Sequence, residues 1–170
     1  VPWNFPLVIL SWKLGPALAM GNTVVVKPAE WTPLTALRLG ELALEAGIPP
    51  GVINVVPGLG PEAGAALSRH PNVRKVSFTG STKTGTEVMR MAADGIKRLS
   101  LELGGKSPSI VFADADLGSA AASVMSVFAN TGQDCCARSR YIVERRVFEE
   151  FVERFVENAK AVRIGDPRSE

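Results

Sequence analysis

The sequence predicts an α/β fold in which helices and parallel strands alternate through two successive blocks, residues 1–103 and residues 104–170. In the first block, short β-branched runs alternate with helical patterns, which is typical of β-α-β units with a parallel sheet and right-handed crossovers. The pair Gly104-Gly105 is the strongest break in the chain, and the same alternation begins again after it. We therefore expect a partial parallel-sheet domain followed by the start of a second α/β domain.

Helical patterns and strand-like runs follow one another through the first block. Gly21-Asn22 closes a helix over residues 7–20 in the manner of a C-terminal cap. Thr32 and Pro33 predict a helix start, with the hydroxyl at the cap and proline at the first helical position. The nearly continuous apolar run over 23–28 predicts a strand buried on both faces. Further strands are expected over 52–57, 73–80 and 96–103, and further helices up to Gly47, up to Ser68 and through Ala93.

The second block predicts two strands, helices around them, and a turn that carries both cysteines. Strands are expected over 109–112 and 141–143, a helix opening near Asp114–Asp116, an apolar helix-like run over 120–129 and an amphipathic helix over 148–162.

The two cysteines of the sequence, Cys135 and Cys136, lie side by side between the apolar run and the strand that follows it. A thiol in a tight connection between two ordered elements can be aimed at a substrate. The alternative is that both are small core fillers, because free cysteine is among the most buried residue types. Adjacent cysteines offer no spacing typical of a metal site or a stabilising disulfide. We therefore expect no metal, and a reducing compartment, most simply the cytoplasm.

Composition excludes several classes of partner. The 170 residues are 46% hydrophobic, and 19 basic residues face 17 acidic ones. Because the chain is nearly neutral and has no basic block interleaved with aromatics, binding to nucleic acid or to an anionic membrane has no electrostatic support. The longest apolar run near the start, residues 6–20, is too short and too interrupted to span a membrane.

Candidate binding residues follow three of the predicted strands, where ligands bind in open parallel sheets. Gly80 and Ser81 lie at a predicted helix N-terminus, which suits a phosphate, although an ordinary glycine turn is the alternative. Lys27 and Glu30 offer hydrogen bonds to sugar hydroxyls. The alternative is that they only pair with each other in a solvent-exposed loop. The segment G-L-G-P-E-A-G over residues 58–64 resembles a dinucleotide fingerprint but does not have its spacing.

Two further polar residues are candidates for catalysis. Glu102 lies between leucines at the end of a strand that should be covered, and a desolvated carboxylate has a raised pKa that suits a general base. Asn4, between Trp3 and Phe5 and flanked by prolines, is a rigidly held amide donor. Local backbone capping is the alternative for both. His70 is interpreted as a surface turn residue without a function.

Five motifs together resemble one known family. They are P-W-N-F-P, T-V-V-V-K-P-A-E, F-T-G-S-T-x-x-G, L-E-L-G-G-K-S-P and G-Q-x-C, in this order. The sequence resembles the NAD(P)-dependent aldehyde dehydrogenase superfamily along essentially its whole length. That family has a Rossmann-like cofactor domain, a catalytic α/β domain and an oligomerisation hairpin. The resemblance implies that residues 1–103 are the later part of the NAD-binding domain and that 104–170 begin the catalytic domain.

Family members are several-fold longer, so the sequence is expected to be an internal fragment. The family's glutamate for the nicotinamide ribose is then expected beyond Glu170. Residues 1–170 alone are not expected to oxidise aldehydes.

The resemblance also implies roles for individual residues. Cys135 matches the catalytic thiol, Glu102 the general base, and Asn4 the side chain that stabilises the oxyanion together with the backbone N–H of Cys135. Lys13 matches a lysine near the thiol, and Cys136 is a neighbour without an assigned role. The cofactor contacts implied are Lys27 and Glu30 to the adenosine ribose, Gly60 and Pro61 to the adenine, and Gly80 and Ser81 to the pyrophosphate, with Gly85 closing that turn.

These matches imply an NAD-dependent oxidation of an aldehyde to a carboxylic acid through a thiohemiacetal and a thioester. NAD is expected over NADP, because Glu30 would repel a 2′-phosphate. The resemblance implies that the whole protein is a homo-oligomer, either a dimer or a tetramer. It also implies that the substrate is a small aldehyde. A catalytically silent relative and a thiol redox module built on Cys135 and Cys136 are the alternatives. The presence of Asn4, Glu102 and Cys135 argues against the first, and the lack of C-x-x-C geometry argues against the second.

Overall fold

The structure, a computed structural model, describes residues 1–166 and residue 168. The described chain divides into two compact units, which we term unit 1 (residues 1–104) and unit 2 (from Gly105 onward). The division coincides with the glycine pair at which the sequence predicts a break.

Unit 1 alternates helices and strands as predicted. Its helices are α1 (Pro6–Ala19), α2 (Leu34–Glu45), α3 (Ala65–Arg69), which continues a π-helical turn over Gly60–Gly64, and α4 (Thr82–Ala93). Its strands are β1 (Val24–Val26), β2 (Ile53–Val55), β3 (Lys75–Gly80) and β4 (Arg98–Leu103).

The predicted parallel pairing is confirmed. Strand β1 runs parallel to β2 with Val26 opposite Val55, and β3 runs parallel to β4 with Thr79 opposite Glu102. Among the described residues these are two separate two-stranded sheets, where the sequence predicted one continuous sheet. Helix α4 packs against β3 and β4, which places its N-terminus beside the carboxyl end of β3.

The core of unit 1 forms where α1 and α2 pack against β1. Its buried residues are Leu10, Leu14, Val26 and Ala36. The end of α1 is a C-terminal cap as predicted: Gly21 has φ 72°, and the Asn22 N–H donates to the Ala17 carbonyl at 3.0 Å.

Two local predictions in this region are wrong. Strand β1 is not buried on both faces, because Val25 is 44% exposed. The cap of α2 is Pro33, which has helical torsions and no side-chain acceptor, so Thr32 does not cap the helix. The Thr32 hydroxyl is instead buried without a hydrogen-bond partner among the described residues.

Unit 2 is a smaller α/β unit with one parallel strand pair. Its strands are β5 (Pro108–Val111) and β6 (Arg140–Val143), and its helices are α5 (Leu117–Ala122), α6 (Met125–Phe128) and α7 (Phe148–Lys160), with 3₁₀ turns over Ala129–Gly132 and Arg145–Val147. The core of this unit is built around Val111, Ala121 and Phe151. Tyr141 packs against the rings of Phe151 and Phe155, with centroids 5.4 Å and 5.0 Å away.

The apolar run over 120–129 was predicted to be one helix. It breaks instead between α5 and α6. The Ser123 hydroxyl donates to the Ala120 carbonyl and the Ser126 hydroxyl to the Ser123 carbonyl, each at 2.6 Å. Serine hydroxyls that bond the backbone in this way compete with the helical hydrogen bonds. The Tyr141 hydroxyl lies 2.8 Å from one serine oxygen and 3.1 Å from the other, so β6 holds the break in place.

Among the described residues, no helix combines the length and the apolar character that a membrane crossing requires.

Candidate active site

The segment before the cysteines has an unusual backbone. Asn130, Thr131 and Gly132 have φ values of 50°, 59° and 72°, so three successive residues lie in the left-handed region. Asparagine and glycine tolerate this region, but a β-branched threonine there is strained, at a cost of order 1–3 kcal/mol. The surrounding structure must therefore hold the segment in this shape.

Hydrogen bonds at both ends hold the cysteine loop (residues 130–138). The Gln133 N–H donates to the Asn130 carbonyl at 3.0 Å, and the Asn130 side-chain amide donates to the Gln133 carbonyl at 3.2 Å. At the far end, the Arg138 N–H donates to the Ser126 carbonyl at 3.0 Å, and Ala137 is buried. The loop therefore presents its thiols from a fixed backbone.

The two thiols are free and adjacent. Cys135 is half-buried and Cys136 is exposed, and their sulfurs lie 3.7 Å apart. The prediction of a thiol in a tight connection between ordered elements is confirmed, and the core-filler alternative is wrong for Cys136. The Cys136 N–H donates to Asp134 Oδ1 at 2.9 Å, which places a carboxylate beside the thiols.

Burial, and to a lesser extent the neighbouring side chains, disfavour the thiolate form of Cys135. Burial raises the pKa of this thiol to about 11, with further contributions from Cys136 and Asp134. Within unit 2, the thiol is therefore protonated at neutral pH. A nucleophilic role requires an additional group that takes the proton.

Replacing Asp134 by asparagine is expected to make Cys135 more reactive in the cofactor-free whole protein. The amide keeps an oxygen that accepts from the Cys136 N–H but removes the negative charge, so the Cys135 pKa falls. At a fixed pH below that pKa, each unit of decrease raises the thiolate fraction, and the iodoacetamide reaction rate, about 10-fold. Peptide mass spectrometry of Cys135 measures the rate, with Asp114→Asn as the matched control. An unchanged or slower reaction would contradict the assigned influence of Asp134.

In unit 1, Lys27, Glu30 and Gly60 meet at the carboxyl ends of β1 and β2. Glu30 Oε1 lies 3.2 Å from Lys27 Nζ and accepts from the Gly60 N–H at 2.7 Å. The Lys27 side chain is 16% exposed and that of Glu30 is 37% exposed. The pKa of Glu30 is lowered by its own backbone N–H and, to a lesser extent, by the Gly60 N–H and by Lys27. A charged carboxylate is therefore held at this edge of the sheet.

A cleft of about 190 Å³ lies beside Glu30. Its walls include Pro28, Pro33, Pro57 and Leu59. Flat apolar walls next to a fixed carboxylate suit a ligand that combines a planar ring with hydroxyl groups. Pro61 is exposed in the π-helical turn that follows the cleft.

The N-terminus of α4 carries the predicted phosphate-binding residues. Ser81 is its N-cap and accepts from the Thr84 N–H at 3.2 Å, directly after Gly80 at the end of β3. Gly85 was expected to close the turn before α4. It lies instead inside the helix, so this prediction is wrong. A Cβ at Gly85 would lie 2.7 Å from Leu103, so this glycine lets the helix approach β4 closely.

Glu102 lies on a polar face of β3 and β4. The register places Thr79 opposite Glu102, and Ser77 lies on the same face. The expected burial of Glu102 is wrong, because its side chain is exposed. Glu102 is therefore not desolvated in this structure.

Lys13 connects α1 to this polar face. Its ammonium donates to the Ser77 hydroxyl at 2.8 Å. Burial lowers the pKa of Lys13, while the charge of Glu102 acts in the opposite direction and that of Lys75 adds to the decrease. Lys13 is therefore electrostatically coupled to Glu102. Asn4 is half-buried, one residue before the N-cap of α1.

The structure brings some of the predicted residues of unit 1 together. Lys27, Glu30 and Gly60 form one cluster. Lys13 and Glu102 form a second group, because their charges interact. Cys135 belongs to unit 2. Sequence reasoning missed Asp134, although its position next to Cys135 was a visible signal, and it missed the proline walls of the cleft.

Comparisons with known proteins agree on one family. The model of the Aldehyde dehydrogenase family matches residues 1–170. Aldehyde dehydrogenase 1A1 of Bos taurus is 59% identical over 169 residues, which are 98% of this chain and 34% of that protein. Aldehyde dehydrogenase, cytosolic 1, of Mus musculus is 58% identical over 169 residues, with the same 98% and 34% coverage. The crystal structure of an indole-3-acetaldehyde dehydrogenase in complex with NAD+ superposes with a TM-score of 0.95 at 51% identity, covering 98% of this chain and 34% of that one.

The chain thus spans about a third (34%) of the length of these curated relatives. The match extends over both units, and the predicted α/β class with parallel strand pairs is confirmed by the superposition. The chain belongs to the aldehyde dehydrogenase family.

Proposed function

We propose that the whole protein is an NAD-dependent aldehyde dehydrogenase that oxidises an aldehyde to a carboxylic acid. The single observation that supports this most is the presentation of Cys135. A strained loop, hydrogen-bonded at both ends, holds one half-buried thiol in a chain that belongs to this family.

The proposed chemistry begins at Cys135. The thiol releases its proton to water, and its sulfur bonds to the carbonyl carbon of the aldehyde while the carbonyl π electrons move to the oxygen, which gives the thiohemiacetal oxyanion. The Cys135 backbone N–H and the Asn4 amide donate to the oxygen that becomes negative, because fixed donors stabilise charge as it develops. Loss of hydride from the same carbon leaves a thioester on Cys135.

Glu102 is proposed as the base for the second step. It takes a proton from a water molecule, whose oxygen adds to the thioester carbon; the carbon–sulfur bond breaks to release the carboxylic acid, and Glu102 returns the proton to the Cys135 sulfur. In unit 1, the charge of Glu102 acts on Lys13, whose pKa it raises against the lowering effect of burial.

NAD, when bound, supplies the hydride acceptor. The residues of unit 1 fit this cofactor, since the cleft beside Glu30 has apolar walls for a ring and Glu30 and Lys27 provide groups for ribose hydroxyls. Gly60 and Pro61 border the proposed adenine position. Gly80, Ser81 and the N-terminus of α4 are proposed to hold the pyrophosphate, while Gly85 contributes by allowing close packing of α4. The structural relative in complex with NAD+ supports the choice of cofactor.

The whole protein is expected to use NAD better than NADP. Glu30 carries a negative charge beside the proposed ribose position, and the Lys27 charge, which would attract a 2′-phosphate, is already paired with it. A preference of about tenfold corresponds to only about 1.4 kcal/mol, which one screened charge contact can supply. Glu30→Gln should narrow the gap in kcat/KM between the two cofactors.

Steady-state kinetics with both cofactors measures this preference. The matched control is Glu62→Gln, which removes an exposed carboxylate from the π-helical turn after the cleft. A wild-type protein with the higher kcat/KM for NADP would contradict the role of Glu30. If Glu62→Gln narrowed the gap in kcat/KM between NAD and NADP as much as Glu30→Gln does, net charge alone would set the preference.

A cytoplasmic location and a homo-oligomeric state, dimer or tetramer, complete the proposal. The relative named Aldehyde dehydrogenase, cytosolic 1 supports the location. A panel of aldehydes, assayed with the whole protein as formation of reduced cofactor, tests the function. No reduced cofactor with any aldehyde would favour a catalytically silent relative instead.

A further inference from the structure

Three consecutive side chains in the cysteine loop place soft and hard metal ligands within reach of one another. One carboxylate oxygen of Asp134 and the sulfurs of Cys135 and Cys136 all lie within 4.8 Å of one another. The two sulfurs are 3.7 Å apart, too far for a disulfide bond, which requires about 2.05 Å.

The separation of the sulfurs matches the edge of a tetrahedral metal site. Two thiolates bound to one zinc ion at about 2.3 Å each, at the tetrahedral angle, lie about 3.8 Å apart. The 3.7 Å between the two sulfurs is therefore compatible with both binding one ion. A carboxylate is an established third type of ligand for zinc, at a similar bond length.

The loop also favours binding because it is held in place and open to solvent. Asp134 Oδ1 accepts from the Cys136 N–H at 2.9 Å, which fixes the carboxylate next to the thiols. Cys136 is exposed, so an ion can enter from solvent. The Arg138 N–H to Ser126 carbonyl bond ties the loop to the preceding helical segment, so the three ligands keep their arrangement.

We propose that Asp134, Cys135 and Cys136 bind a thiophilic divalent cation of the Zn²⁺ or Cd²⁺ class, and that the bound ion inhibits the enzyme by occupying Cys135. Each thiol releases its proton to the solvent as its metal–sulfur bond forms, and no oxidation occurs. Water completes the coordination. Thiolates select such ions over Mg²⁺ and Ca²⁺, which prefer oxygen ligands. The binding site stands on the geometry alone, whereas the inhibition rests on the proposed function.

Cadmium alone is the probe for binding. The cofactor-free whole protein, kept reduced with a phosphine that does not chelate metals, is titrated with Cd²⁺, and thiolate-to-cadmium charge-transfer absorption is recorded. The double variant C135S/C136S gives the background from thiols elsewhere in the whole protein. Above that background, wild type should saturate at one ion per chain, and Mg²⁺ in excess should not compete.

Single variants then identify the ligands. Cys136→Ser should raise the apparent Kd for Cd²⁺ by at least about 10-fold, and Asp134→Asn should raise it by a smaller factor. Asp114→Asn, an exposed carboxylate in the same unit, is the matched control and should bind as wild type does. A wild-type Kd in Cys136→Ser, or in Asp134→Asn, would overturn the three-residue site.

A second readout separates this proposal from the proposed function. Zn²⁺ should inhibit aldehyde oxidation, a chelator should restore it, and Cys136→Ser should raise the half-inhibitory concentration by the same factor as the Kd for Cd²⁺. If the ion binds as expected but activity persists at saturation, the cation site stands and the assignment of Cys135 as the nucleophile fails. If the ion inhibits without the expected dependence on Cys136 and Asp134, the cation site fails.

Discussion

Replacing Cys135 by serine in the whole protein is expected to reduce aldehyde oxidation below detection, whereas Cys136→Ser should retain most of the activity. The neighbouring sulfurs are chemically alike and only 3.7 Å apart, so this pair of variants is a demanding comparison. Cys135 follows the G-Q-x segment and is half-buried, while Cys136 is exposed. A serine hydroxyl is a much weaker nucleophile than a thiolate, so the first bond to the aldehyde carbon would not form.

Initial rates with an aldehyde and NAD measure the outcome, and circular dichroism of both variants confirms that folding is intact. The two substitutions remove the same atom type from adjacent positions, so each serves as the control for the other. Equal losses in both variants, with folding intact, would contradict the assignment of Cys135.

Glu102→Gln is expected to separate the two half-reactions. The amide keeps the shape of the side chain but cannot accept a proton from water, so hydride transfer should continue while thioester hydrolysis slows. General-base catalysis contributes roughly 10²- to 10⁴-fold, which sets the size of the decrease in kcat. Rapid mixing should then show a burst of reduced cofactor followed by a slow steady state.

The exposed glutamate Glu87 on α4 provides the matched control, since Glu87→Gln removes an equal charge from the same unit. An unchanged steady-state rate in Glu102→Gln would show that this residue is structural. Loss of the burst together with the steady state would show that Glu102 acts before the thioester forms.

Much of the architecture could be predicted because local patterns determine it. The short β-branched runs and the helical runs between them are visible in the sequence, and each strand pair formed in parallel as β-α-β units require. Capping residues also act locally, so the start of α4 at Ser81 and the end of α1 at Gly21 were predictable.

Several of the errors occur where a contact joins distant residues, whereas the Thr32 cap failed locally, because Pro33 occupies the cap position. The break between α5 and α6 is held by the Tyr141 hydroxyl, which lies 18 residues after Ser123, while Ser123 and Ser126 within the apolar run were the local signal of a break. The exposure of Val25 and Glu102 depends on which elements cover a strand. Such coverage is a property of the tertiary arrangement, and alternation along the chain does not report it.

In the candidate site, too, some features follow from local sequence patterns and others depend on tertiary contacts. The position of Cys135 between a helical run and a strand follows from the order of elements, and its place in the loop is confirmed. The left-handed run over Asn130, Thr131 and Gly132 could not be predicted, because a β-branched residue disfavours that conformation and only the surrounding hydrogen bonds enforce it. The sulfur–sulfur distance depends on that same backbone.

The central claim is that aldehyde oxidation passes through an acyl group on Cys135, and trapping that group tests it most directly. The Glu102→Gln whole protein is mixed with an aldehyde and NAD, quenched in acid within the burst, digested and analysed by mass spectrometry. We expect the peptide that contains Cys135 and Cys136 to gain the mass of the acyl group, and fragmentation to place that mass on Cys135. An acyl group on Cys136, or a burst of reduced cofactor with no acylated cysteine, would contradict the mechanism.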